Sequence, residues 1–185
     1  MASRLERTDK EHGMDELSKL GIKYGTDKIG KHNYLPHYYE MFKDRRELIR
    51  KVLEIGAGEG NSLRMWRDFF HNAIIYSGEI EDSRLFEEDR IKVFKFNQGS
   101  VKDIHEAIEG FVDLDIIIDD GSHDPLDQIF TCIGVMELIE NKNVTYIIED
   151  VADLDILKFL SERYTTNTIE CGERYDDRLV VVKHK

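Results

Sequence analysis

The stretch that decides the fold is KVLEIGAGEGNSLRMWRDFFHNAIIYSGE, residues 51–79. Its apolar start runs into a glycine-rich turn at 56–60, after which Leu63 and Trp66 mark the apolar side of a helix. A second apolar run ends at Glu79, near the roughly 20-residue spacing at which an acid binds a ribose. Strand, glycine turn, helix, strand and acid in this order predict one βαβ nucleotide-binding unit.

The rest of the chain continues this alternation. Beyond 51–56 and 73–79, strands are predicted at 90–96, 114–119 and 144–148, with a closing hairpin of 165–171 and 179–182. Helices are predicted at 14–20, 35–48, 61–70, 101–108, 126–140 and 154–164. Strands that alternate with helices predict an α/β fold around a mostly parallel sheet, because parallel strands need crossover connections.

Composition narrows the class of protein. The 185 residues carry 41% hydrophobic and 35% charged side chains, which is typical of one globular domain spanning 1–185. A net charge of −12 opposes binding to nucleic acid or to anionic membranes. The start of the chain lacks the apolar core of a signal peptide, and two cysteines suit free thiols, so we expect a cytoplasmic protein with Cys132 in its core.

Acidic residues follow two predicted strands at the point where each strand ends. Asp119 and Asp120 close one apolar run, and Glu149 and Asp150 close the next. Buried carboxylates are costly unless something neutralises them, and clustered oxygen ligands suit Mg²⁺ or Ca²⁺. His123 could then act as the base that removes a proton from a metal-bound hydroxyl group.

Simpler interpretations remain open for each of these groups. Asp119 and Asp120 could only cap the helix that starts near Pro125, although Asp124 is the better cap. The Glu149–Asp150 pair could be solvated, and His123 could be an ordinary loop histidine.

The string LEIGAGEG at 53–60 resembles the first motif of class I S-adenosylmethionine (AdoMet) methyltransferases. Five further segments are similar to those of metal-dependent macrolide sugar O-methyltransferases of the mycinamicin type and of their cephalosporin-hydroxylase-like relatives. They are GTDK at 25–28, HNY at 32–34, SLRMWRDFF at 62–70, DIIIDDGSH at 115–123 and IIEDV at 147–151. The resemblance implies a Rossmann-like methyltransferase fold with a mostly parallel seven-stranded sheet and a C-terminal antiparallel hairpin. It also implies that 23–42 covers the cofactor, after an N-terminal extension at 1–22.

The same resemblance implies a role for each matching residue. Asp120, Glu149 and Asp150 would hold Mg²⁺ or another divalent cation, with His123 as the general base. The AdoMet site would consist of Gly56, Ala57, Gly58, Gly60, Glu79, Gln98, Ser100 and Asp119. Glu79 would bind the ribose, Gln98 and Ser100 would border the adenine, and Asp119 would face the methionine end.

The function predicted from these observations is AdoMet- and Mg²⁺-dependent O-methylation of a hydroxyl group on a sugar or glycosylated small molecule. Methylation of another small diol would use the same chemistry. A non-catalytic AdoMet-binding module would not need His123 or the acids, and a nucleic-acid methyltransferase is opposed by the charge. The chain could also form a homo-oligomer.

Overall fold

Strands and helices alternate along the chain as the hydrophobic pattern predicts. The computed structural model describes residues 13–111 and 113–185, so most of the predicted N-terminal extension lies outside the described residues. The helices are α1 (Glu16–Tyr24), α2 (Leu35–Phe42), α3 (Asn61–Phe69), α4 (Val101–Glu109), α5 (Pro125–Leu138) and α6 (Ile156–Arg163). The strands are β1 (Lys51–Ile55), β2 (Ile74–Glu79), β3 (Glu87–Glu88), β4 (Ile91–Lys95), β5 (Ile116–Asp119), β6 (Thr145–Ile148), β7 (Tyr164–Glu170) and β8 (Arg178–His184).

All of these strands join one sheet in the order β3-β4-β2-β1-β5-β6-β8-β7. The central strands β4, β2, β1, β5 and β6 are parallel, while β8 runs antiparallel to both β6 and β7. The predicted fold class and its closing hairpin are therefore confirmed.

Within the described residues, the sheet has eight strands rather than the seven predicted. The additional strand is β3, which pairs antiparallel with β4 through Glu87 and Glu88. Two consecutive acids show no hydrophobic alternation, so the sequence pattern gave no sign of a strand there.

The helix predicted at 35–48 is shorter than expected. It ends at Phe42, and a separate 3₁₀ turn occupies Arg46–Leu48. Residues 43–47 are all charged, and Leu48, the next apolar residue, is 72% exposed. The helix ends where it no longer has an apolar face to bury, because burial of such a face supplies most of a helix's stability in a protein.

Helices cover both faces of the sheet and form two cores. On one face, α1 to α3 contribute Leu17, Tyr38 and Trp66, and on the other, α4 to α6 contribute Ile104, Cys132 and Leu160. Successive residues of a strand point to opposite faces. In β5, for example, Ile116 and Ile118 pack in the first core and Ile117 in the second. Cys132 is a buried free thiol, as predicted.

The chain reverses its direction across the sheet between β1 and β5. Strands β1, β2 and β4 follow one another outwards on one side, and β5 and β6 do so on the other. Ligands of open α/β sheets bind at such a point, beyond the carboxyl ends of the strands. Here the two strand ends touch: a Cβ atom added to Gly56 would lie 2.2 Å from the carbonyl oxygen of Asp120.

Among the described residues, no helix combines the length and the apolar character needed to cross a membrane.

Candidate active site

A cavity of about 550 Å³ opens at the point where the strand order reverses. Its walls come from the glycine turn after β1, the end of β2, the loop after β4 and the start of the loop after β5. Gly25, Thr26 and Asp27, from the segment predicted to cover the cofactor, also line it. Of the predicted cofactor-binding residues, the following five line the cavity: Gly56, Ala57, Gly58, Glu79 and Gln98.

Glu79 lies at the end of β2 and is almost fully buried. Its Oε2 atom accepts hydrogen bonds of 3.2 Å from the backbone N–H groups of Ala57 and Gly58, and Oε1 accepts one of 2.9 Å from Glu81. The acid and the glycine turn are thus joined directly. A carboxylate held in this way can present its oxygens to the paired hydroxyl groups of a ribose.

Three predicted cofactor residues do not line the cavity. Gly60 caps the start of α3, and Ser100 caps α4 by accepting a hydrogen bond from the backbone of Asp103 at 3.2 Å. Asp119 is buried behind Gln98, whose side-chain amide donates to both of its carboxylate oxygens at 2.7 and 2.8 Å. Burial raises the pKa of Asp119 to about 7 despite these bonds. Asp119 can therefore orient Gln98, and its direct contact with a cofactor stays a prediction.

Asp120, His123 and Asp150 form a second feature at the edge of this cavity. Each offers one potential ligand atom, and these atoms all lie within 4.8 Å of one another. His123 Nε2 is 3.2 Å from Asp120 Oδ1 and 3.4 Å from Asp150 Oδ2. A hydrogen bond with Asp120 raises the pKa of His123. Asp120 also lines the cavity, so it connects the two features.

The backbone at two of these residues adopts an unusual conformation. His123 has φ 59° and Asp150 has φ 51°, in the left-handed region that residues other than glycine rarely adopt. Such conformations cost about 1–3 kcal/mol and concentrate at functional sites. The fold therefore accepts a local cost that turns both side chains towards Asp120.

The sequence interpretation did not identify the group that neutralises the acids, which is Lys28. Its side chain is 1% exposed, and Nζ lies 2.7 Å from Asp120 Oδ2, 2.5 Å from Glu149 Oε2 and 3.1 Å from Glu54 Oε1. Burial alone would lower the pKa of Lys28, but the three carboxylates raise it well above its usual range. The signal that could have found it was the cost of burying several acids without a cation.

Glu149, a predicted metal ligand, lies outside the three-residue cluster. Its two oxygens are taken by Lys28 and by the Tyr38 hydroxyl group, which donates at 2.6 Å. Burial raises the pKa of Glu149, although Lys28 opposes this. Burial would raise the pKa of Asp120 too, but Lys28 and His123 hold it below its usual range. Metal binding by Glu149 would require an exchange of partners and stays a prediction.

The cluster has the composition expected of a site for a hard cation. Asp120 and Asp150 supply carboxylate oxygens, which Mg²⁺ prefers, while the His123 nitrogen beside them is not among the oxygen ligands that Mg²⁺ favours and stays available as a base. In each carboxylate, one oxygen is bound by a neighbour and the other faces His123. The residues present therefore fit a divalent cation.

Comparison with known proteins gives relatives of one kind, although no family model matches the chain. The chain is 40% identical over 116 residues to the demethylmacrocin O-methyltransferase of Streptomyces fradiae. This match covers 58% of the chain and 29% of that protein. The chain is 30% identical over 142 residues to the 8-demethyl-8-alpha-L-rhamnosyl tetracenomycin-C 2'-O-methyltransferase of Streptomyces olivaceus, covering 73% and 37%. The Mycinamicin VI 2''-O-methyltransferase of Micromonospora griseorubida is 38% identical over 116 residues, with 58% and 29% covered. The matches thus span 29% to 37% of the length of these relatives.

The solved structures described next are methyltransferases, as are the sequence relatives. The MycE methyltransferase of the mycinamycin pathway, in complex with Mg and SAH, matches with a TM-score of 0.77 and 26% identity over 92% of this chain and 55% of that one. Its complex with Mg, SAH and Mycinamycin VI matches with a TM-score of 0.76 and 25% identity, covering 93% and 55%. A caffeoyl-CoA O-methyltransferase described as putative, from Staphylococcus aureus, shares the fold alone, at 12% identity and a TM-score of 0.61 over 98% of both chains.

Proposed function

From the class I methyltransferase fold of this chain and its similarity to macrolide-type sugar O-methyltransferases, we propose that it is an AdoMet- and Mg²⁺-dependent O-methyltransferase. The acceptor is a hydroxyl group of a sugar or glycosylated small molecule. The observation that carries the proposal is the position of Asp120, which borders the cavity and belongs to the Asp120–His123–Asp150 cluster. A methyl donor and a cation-held acceptor would then meet at one residue.

The cavity accounts for cofactor binding. Gly56, Ala57 and Gly58 allow the backbone to approach the ligand closely, and Glu79 at the end of β2 accepts hydrogen bonds from the ribose hydroxyl groups. Gln98 borders the adenine and is oriented by Asp119. Gly60 and Ser100 contribute by starting the helices that carry the two loops.

The cluster accounts for activation of the acceptor. Asp120 and Asp150, with Glu149 beside them, would hold the cation, which when bound would polarise the acceptor hydroxyl group and lower its pKa. His123 removes the hydroxyl proton at Nε2. The acceptor oxygen forms a bond to the methyl carbon as the methyl–sulfur bond of AdoMet breaks, and the electron pair of that bond stays on sulfur. The products are the methyl ether, SAH and protonated His123.

The experiment that tests this function is a transfer assay. The protein would be incubated with methyl-labelled AdoMet, Mg²⁺ and a panel of nucleotide sugars, glycosides and catechol-like diols. We expect label on a sugar hydroxyl group, transfer that is about 10²–10⁴-fold slower when His123 is replaced by alanine, and none when Mg²⁺ is chelated. Transfer only to diols would redirect the proposal to that acceptor class. Binding of SAH without transfer to any acceptor would favour a non-catalytic module, and transfer that persists in chelator would refute the metal role.

The acceptor, a cytoplasmic location and assembly into a homo-oligomer are part of this proposal. The matches cover about a third of the length of each sequence relative. We therefore propose this activity for the segment that the chain shares with them.

A further inference from the structure

A compact segment at residues 25–38 connects the cavity to the acids. Its backbone folds back on itself, with hydrogen bonds from His32 to the carbonyl of Asp27 at 3.0 Å and from Tyr34 to that of Lys28 at 3.1 Å. A bridge between Ile29 and Asn33 adds to this closure. We call residues 25–38 the strap. Because these bonds join residues 27–29 to residues 32–34, the part that lines the cavity and the part that reaches the acids are held as one unit.

The strap binds one oxygen of each carboxylate in the cluster and leaves the other oxygen facing inwards. Lys28 takes Oδ2 of Asp120 at 2.7 Å, and Oδ1 of Asp120 faces His123. The Tyr34 hydroxyl group donates to Oδ1 of Asp150 at 2.8 Å, and Oδ2 of Asp150 faces His123. A carboxylate fixed through one oxygen cannot rotate the other one away, so the two inward oxygens have set directions.

The other end of the strap lies in the cavity wall. Gly25, Thr26 and Asp27 line the cavity, and Lys28 follows directly in the chain. The carbonyl oxygen of Gly25 also accepts a bond of 3.4 Å from Asn61, at the start of the helix that follows the glycine turn. A ligand that orders residues 25–27 therefore acts on the same unit that orders Asp120 and Asp150.

We propose that Lys28 and Tyr34 are positioning residues, and that the strap couples cofactor binding to metal binding. This inference rests on the proposed function and goes beyond it, because it gives the two ligands a shared mechanical element. Coupling of this kind is reciprocal: SAH raises the affinity for the cation by the same factor as the cation raises the affinity for SAH.

Whether Lys28→Met raises or lowers the metal affinity distinguishes positioning by Lys28 from a purely electrostatic effect of its charge. An ammonium group beside a cation site repels the cation, so charge alone predicts tighter metal binding when Lys28 is replaced by methionine. Positioning predicts the opposite, because loss of the groups that orient metal ligands typically weakens metal binding about 10–100-fold.

The test titrates Mn²⁺, followed by the paramagnetic resonance signal of the free ion, with and without saturating SAH. In the unaltered protein we expect SAH to raise the Mn²⁺ affinity about 5–150-fold. In Lys28→Met and Tyr34→Phe we expect Mn²⁺ affinity to fall by about 10-fold or more, and the SAH effect to shrink towards none. The matched controls are Lys19→Met, an exposed lysine of α1, and Tyr39→Phe in α2, which should behave as the unaltered protein.

Each outcome bears on one claim. Equal or tighter Mn²⁺ binding in Lys28→Met, or an SAH effect that survives in both variants, would overturn the inference. If circular dichroism shows that Lys28→Met does not fold, Tyr34→Phe decides alone, because it removes one oxygen and keeps the buried ring. If the unaltered protein binds neither Mn²⁺ nor SAH, the proposed function fails instead.

Discussion

Replacing Gly56 by alanine tests whether the contact between β1 and β5 sets the geometry of the site. Gly56 has φ +95°, so alanine there carries a backbone cost of about 1–3 kcal/mol. The added Cβ atom would also lie 2.2 Å from the carbonyl oxygen of Asp120, which must move. Overpacking of this kind costs about another 1–3 kcal/mol. We therefore expect Gly56→Ala to lower the free energy of unfolding by about 2–6 kcal/mol.

Gly58→Ala is the matched control for this substitution. Gly58 lines the same cavity and has φ +49°, but a Cβ atom there would meet no atom within 4 Å. Only the backbone cost of about 1–3 kcal/mol applies, which for a chain of this length lowers Tm by roughly 2–4 °C per kcal/mol.

The assay combines urea unfolding with Mn²⁺ titration. Gly56→Ala should be the less stable variant and, because Asp120 is displaced, should also bind Mn²⁺ more weakly than Gly58→Ala does. Equal losses of stability in the two variants, with equal Mn²⁺ affinities, would refute the claim that the backbone of Asp120 rests against Gly56.

Three further predictions concern the base, the metal and a distant ion pair. His123→Ala should lower kcat about 10²–10⁴-fold, the usual loss for a general base. Replacing the exposed His105 by alanine is the control and should leave kcat unchanged. Wild-type turnover in His123→Ala would show that His123 is not the base. Chelation should abolish turnover while calorimetry still detects SAH binding, and added Mg²⁺ should restore activity; turnover that survives chelation would contradict this. Burial would raise the pKa of Asp68, but hydrogen bonds from Lys23 and Tyr24 help to lower it to about 2. A depressed carboxyl pKa stabilises the fold above pH ~4 and loses this effect as the pH falls through about 2. Asp68→Asn should therefore be less stable by about 0.2–1 kcal/mol at pH 7, the range for solvent-screened ion pairs, with a gap to the unaltered protein that narrows below pH 4 in urea unfolding; a constant gap would contradict the ion pair.

Most of the fold could be predicted because its signals are local. The run of Ile116, Ile117 and Ile118 needs no information from elsewhere to indicate a buried strand, and Asp124 caps α5 as its position before Pro125 suggests. The errors lie where local signals were weak or misleading. They are the two-residue strand at Glu87–Glu88 and the end of α2, where charged residues replaced the apolar face.

The candidate site was only partly predictable because its partners are distant in sequence. The carboxyl ends of parallel strands meet at one edge, which is why Asp120 and Asp150 could be expected to lie together. No such rule brings Lys28 to this edge, since its contacts with Asp120 and Glu149 span 92 and 121 residues. Whether Glu149 can join a metal site depends on the hydrogen bonds that Lys28 and Tyr38 donate to it, which residue spacing does not encode.

The loop between β7 and β8 contacts the strap, and this contact affects when the site can form during synthesis and folding. Asp177, between β7 and β8, lies 2.7 Å from Nδ1 of His32, a contact that spans 145 residues. Ribosomes release the N-terminal end first, so the lysine and tyrosines of the strap emerge long before the acids that they orient. Contacts this far apart in sequence also slow folding, because long loops must close before such contacts can form. A nascent chain that has emerged only as far as β5 has its glycine turn but lacks Asp150 and Asp177, so neither the Asp120–His123–Asp150 cluster nor the contact of His32 can form until the later strands join the sheet.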